Sequence, residues 1–166
     1  MKRAVILLLA VSLLLTACGS HGERIKEPVT FYYLRSQYPY GTAQSVIGSE
    51  EREASGHRGE LRYLMALYLM GPSGEDLRSP IPPGTNIFSA EQTENSVTLK
   101  LSDTAGSMTD VDFSLACACL SLTCMDLTGA DKVTIACGNR SITMTPDTLI
   151  LYDIEGGNTA ATEETQ

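Results

Sequence analysis

Tryptophan is absent from these 166 residues, phenylalanine occurs three times and histidine only twice. Chemistry that depends on histidine therefore has few places to live, and glycan stacking on indole has none. Basic residues are also scarce, 12 against 20 acidic, for a formal net charge of -8. Two of the twelve, Lys2 and Arg3, lie in the first few residues, while every acidic residue lies beyond Cys18. An acidic chain of this kind has no electrostatic case for nucleic acid or for anionic lipid. No nucleophile elbow, P-loop or zincin motif is present, and no internal repeat is visible.

What the chain does have is an apolar start. Met1-Lys2-Arg3 is a short basic n-region, followed by an apolar run from Ala4 to Leu15 broken only by Ser12. Twelve helical residues rise about 18 Å, short of a hydrocarbon core of roughly 30 Å, so the run reads as a signal-peptide h-region. Leu15-Thr16-Ala17-Cys18, followed by Gly19-Ser20, has the order of a lipobox. The expectation is cleavage before Cys18, lipidation of its sulfur and an extracytoplasmic protein held on the outer face of the cell membrane. Two or three acyl chains, at about 0.8 kcal/mol per buried methylene, anchor a protein stably. The reading divides the chain into a signal peptide over 1–17, a tether over 18–27, a folded domain over 28–154 and a disordered tail over 155–166.

Within the domain, Val29 to Leu34 is β-branched and aromatic and reads as a strand. A weaker strand is expected around Val46 and Ile47. Leu61, Leu64, Met65, Tyr68 and Leu69 recur at helical spacing, predicting a helix over 60–70 that stops at Gly71-Pro72. The prolines of Ser79 to Thr85 forbid helix and inner strand alike. Ile87–Gln92 and Ser96–Leu101 predict a hairpin about Glu94-Asn95. Phe113, Cys117, Leu120, Cys124 and Leu127 form the core stripe of a long helix over 110–127. Leu115, Leu122 and Met125 make its other surfaces apolar too, so it is expected to be deeply packed. Val133–Cys137 and Ser141–Met144 predict two more strands about Gly138-Asn139, and Thr148–Tyr152 a last short strand or arm. The pattern predicts an α/β fold, a two-layer sandwich with two helices packed on one small mixed β-sheet.

The segment from Leu64 to Pro72, ending in Gly-Pro, together with Ser79-Pro80-Ile81-Pro82-Pro83-Gly84-Thr85, resembles the GerMN domain of sporulation and spore germination. Phe88-Ser89, Val97 to Ser102 and Asp131 to Ile135 fit its hairpin and closing strand. The resemblance implies a non-enzymatic domain with no cofactor, similar in fold to ring-building domains, found in lipoproteins of Gram-positive bacteria and beside sensor kinases. It carries over no catalytic residue. Its implied partners are an exported or membrane protein, and a homo-oligomer is allowed by fold analogy. The alternatives are a module for peptidoglycan or glycan, with the tyrosines near the first strand (Tyr32, Tyr33, Tyr38, Tyr40) as its groove, and an accessory lipoprotein to a sensor kinase.

The four cysteines beyond Cys18 are open to three readings: small buried hydrophobes, a disulfide joining Cys124 or Cys117 to Cys137, or a metal site. Along one helix Cys117, Cys119 and Cys124 point in different directions, which disfavours metal and excludes bridges among themselves. His57, in a glycine-bounded loop, reads as solvated. Asp110 and Asp112 suit the positive end of the long helix, and Glu50-Glu51-Arg52-Glu53 reads as a solvated face.

Overall fold

The computed structural model describes residues 27–37 and 45–149. The leader, Cys18, Tyr38, Tyr40 and most of the expected terminal arm lie outside the described residues. Strand β1 is Pro28–Arg35, β2 Ile47–Glu53, helix α1 Leu61–Leu69 and β3 Leu77–Arg78. They are followed by β4 Ile87–Gln92, β5 Ser96–Leu101, helix α2 Asp110–Thr128, β6 Lys132–Cys137 and β7 Arg140–Met144. Short 3-10 turns lie at Asp103–Ser107 and Pro146–Thr148.

This is a two-layer α/β fold, as the pattern predicts. The strands, however, fall into two sheets rather than one: β2-β1-β3 and β4-β5-β6-β7. The second is mixed, because β5 and β6 run parallel with α2 as their crossover, while β4–β5 and β6–β7 are antiparallel hairpins. On the side away from β2, β1 has little strand to pair with. Its ladder with β3 covers only Leu34 and Arg35. Further back, at Tyr32, the backbone amide donates to the Thr123 hydroxyl of α2 at 3.0 Å. A helix side chain thus satisfies an edge donor that a strand would otherwise take.

That position also explains why α2 is apolar all round. Phe113, Ala116, Cys117, Leu120 and Cys124 join the main core, with Val97, Leu99, Val133 and Ile135 from the second sheet and Leu64, Met65 and Tyr68 from α1. Cys119 turns the other way and packs with Leu34 and Ile47, flanked by Leu115, Ala118 and Leu122. By length and composition α2 would also cross a membrane, but its buried residues are those of a core helix. Its ends are ordinary: the Thr109 hydroxyl accepts from the Asp112 amide at 3.2 Å, and Gly129 closes it at φ 72.

An aromatic group fixes α1 on β1. Tyr33 and Tyr68 stack at 4.6 Å between centroids, and Phe31 meets both edge-on. The Tyr33 hydroxyl donates to the Tyr68 carbonyl at 3.0 Å and the Tyr68 hydroxyl to the Tyr32 carbonyl at 2.9 Å.

Candidate functional site

The thiols are the sharpest chemical question left by the sequence. Cys117, Cys119, Cys124 and Cys137 are all free and buried. Neither bridge that the sequence left open, from Cys124 or from Cys117 to Cys137, is present. Cys124 Sγ lies 3.9 Å from Met65 Sδ, whereas Cys137 Sγ donates to the Ser102 carbonyl at 3.2 Å. Burial pushes the thiols of Cys117, Cys119 and Cys124 up to about 12, against an ordinary value near 9. Arg140 pulls weakly the other way at Cys117, and Arg78 does so at Cys119. Burial also raises Cys137, reinforced by Asp103. A buried thiol held neutral is a poor nucleophile at neutral pH. Among the described residues no three His, Cys, Asp or Glu side chains come together in a metal-holding arrangement.

His57 sits on the surface. Its Nδ1 lies 2.9 Å from Glu60 Oε1, and its ring stacks on Tyr63 at 4.1 Å. Asp110 begins α2 and pairs with Arg140 at 3.0 Å. The Arg140 guanidinium lies 4.0 Å over the Phe113 ring and donates to the Met108 carbonyl at 2.8 Å. A cleft of about 390 Å³ opens beside it, between the start of α2 and the β6–β7 turn, lined in part by Ser114, Asn139 and Ile142. Its cation is already partnered by a carboxylate and by carbonyls, so it offers no free charge to an anion.

Two sequence readings change. Tyr33 is a core residue with no exposed surface, and burial holds its hydroxyl well above the usual range, so it cannot line a glycan groove. Tyr32 is half-buried against α2. The acidic run over 50–53 is not simply solvated either. Glu50 and Arg52 form an ion pair at 2.9 Å with side chains 14% and 15% exposed. Arg52 donates to the Leu67 carbonyl at 3.2 Å, the Gly71 carbonyl at 2.6 Å and Ser73 Oγ at 2.9 Å. Glu50 accepts from the amides of Ser73 and Gly74. α1 has no basic residue in its last turn, so β2 supplies the cation that its negative end favours. The signal for this was the period of two: Glu50 and Arg52 pair with Phe31 and Val29 and share their side of the sheet.

Built this way, the described part of the molecule is a packed scaffold, and its relatives define its class. The family model described as sporulation and spore germination (Germane) matches residues 30–143, well over half of the chain. The chain belongs to the sporulation and spore germination family. Among solved structures, it is similar to a 2.5 Å crystal structure of a protein from Clostridium perfringens described as a lipoprotein, with 17% identity and a TM-score of 0.41 over 72% of this chain and 89% of that one. No match was found among curated proteins.

Proposed function

We propose that this chain is a non-enzymatic lipoprotein, anchored through Cys18 to the outer face of the cell membrane. It binds another exported or membrane protein in sporulation, germination or envelope assembly. The observation that carries the reading is the family match across residues 30–143, joined to the lipobox order of Leu15 to Cys18. The chemistry of the described residues agrees with a binding role. The four thiols are buried, and the one described histidine is engaged on the surface with Glu60 and Tyr63.

The experiment has two arms. Fractionation of cells producing the intact chain recovers it with membranes, and Cys18→Ala shifts it to the soluble fraction. Chemical crosslinking of membranes from sporulating cells recovers a defined protein complex. Unchanged fractionation of Cys18→Ala removes the anchor from the proposal. Muropeptide turnover that is lost on His57→Ala overturns the non-enzymatic reading.

A further inference from the structure

Among the described residues, the four-stranded sheet has one face in the core and one face open. Pairing fixes which residues share the open face. Glu91, Thr98, Thr134 and Thr143 stand in one row across β4, β5, β6 and β7, and Ser89, Lys100, Ala136 and Ser141 in the next. Thr98, Lys100, Ser141 and Thr143 are exposed, while their neighbours Val97, Leu99, Val133 and Ile135 are buried on the other side. Lys132, paired with Ser96, lies on the same open side by the strand alternation.

Three features set this face apart. Lys100 and Lys132 are both of the lysines among the described residues, and Glu91 is the carboxylate in the two rows, on a chain of net charge -8. The hydroxyls are presented by stiff side chains. Threonine is β-branched, and Thr134 and Thr143 also bond each other at 2.9 Å, so little rotamer freedom remains to be lost on contact. At the β4 edge the register shifts between Ile87 and Ser89, and Phe88, the extra residue there, is 59% exposed. Phenylalanine is among the residues enriched at interfaces over the rest of the surface.

We propose that this open face, with Phe88 at its edge, is the docking surface for the acidic surface of a partner protein. The inference rests on the binding role proposed above and names its surface. Charge complementarity selects the occupant. Lys100 and Lys132 lie four residues along and one strand across from each other, roughly 14 Å from strand geometry, and call for two carboxylates at that spacing. A second copy meeting the same face would set lysine against lysine. An anionic polymer would need a denser basic track than two lysines. A glycan would need aromatic platforms that the two rows lack.

The test uses the full-length chain in its membranes, with a photocrosslinking residue placed in turn at Thr98, Ser141, Arg62 and Glu75. The last two are exposed positions on α1 and in the loop before β3. Adducts with one other protein are expected at Thr98 and Ser141 and at least tenfold weaker at Arg62 and Glu75. Lys100→Glu with Lys132→Glu lowers the Thr98 and Ser141 adducts at least tenfold without changing the thermal midpoint, and Lys100→Arg with Lys132→Arg retains them. Adducts of equal yield at Arg62 or Glu75, or adducts indifferent to charge reversal, overturn this surface while leaving the binding role standing. Adducts made of two copies of the chain overturn the choice of partner. No adduct at any of the four positions counts against the binding role and this surface together.

Discussion

Replacing Arg52 by methionine isolates the interaction that ties β2 to the end of α1. Methionine keeps an apolar stem of similar length near Phe31, whose ring centroid lies 6.0 Å from the guanidinium carbon, and removes the charge. What is lost is the ion pair to Glu50 and the hydrogen bonds to the Leu67 and Gly71 carbonyls and the Ser73 hydroxyl. Breaking a fully buried pair costs about 3–5 kcal/mol, and a hydrogen bond to a charged group contributes about 1.5–3 kcal/mol net. At 15% and 14% exposure solvent screens part of this, and Glu50 keeps the amides of Ser73 and Gly74. The expected loss is therefore about 2–3 kcal/mol. In a domain of this size that lowers the melting temperature by roughly 8 °C. Urea denaturation at pH 7 reads the free energy directly. Glu50→Gln alone and the double variant close a cycle whose coupling energy is expected to exceed about 1 kcal/mol. A loss below about 0.5 kcal/mol for Arg52→Met, within the range of ordinary surface substitutions, would refute the claim that β2 caps α1.

Thr123→Val keeps the shape of the fully buried side chain but leaves the Tyr32 amide without its acceptor. It is expected to cost about 1–2 kcal/mol in denaturation, with Thr123→Ser recovering most of it and faster hydrogen exchange at Tyr32 reporting the cause. Stability is expected to fall at alkaline pH. The folded thiols of Cys117, Cys119 and Cys124 titrate near 12, while in the unfolded chain they titrate near 9. Their contribution is complete below pH 9 and is lost as pH rises toward 12, by up to about 1.4 kcal/mol per thiol per pH unit. Cys119→Ala should reduce the slope between pH 9 and 10.5, and an unchanged slope would contradict the assignment. Alkylation in native buffer followed by peptide mapping should leave Cys117, Cys119, Cys124 and Cys137 unmodified until denaturant is added. Gly129→Ala forces a Cβ into the left-handed conformation at φ 72 and is expected to cost about 1 kcal/mol, less for Gly129→Asn, by thermal melting.

Periodicity, strand-forming composition and turn residues together found α1, α2, the β4–β5 and β6–β7 hairpins and β1, with the burial period clearest in α1, β5 and β6. Periodicity also found the inward stripe of α2 from Phe113 to Cys124. It missed β3, since two residues carry no period, and it read the strands as one sheet. At the edge of β1 the Tyr32 amide is met by Thr123 across 91 residues, a contact with no local signature. The run from Glu50 to Glu53 reads from sequence as a solvated face, because the partners of the Glu50–Arg52 pair lie in a helix end that the strand cannot announce.

What the sequence by itself determined is therefore the set of elements, the family that residues 30–143 carry and the acidic balance of the chain. These are properties of neighbouring residues or of sums over residues, and they survive without coordinates. What only the tertiary structure decided is which way the ambiguous groups face. It directed Tyr33 inward, turned Cys124 and Cys137 toward different partners, and brought Lys100, Lys132 and the threonine row onto one open face. Direction depends on register and on packing across the chain, and no local pattern encodes it.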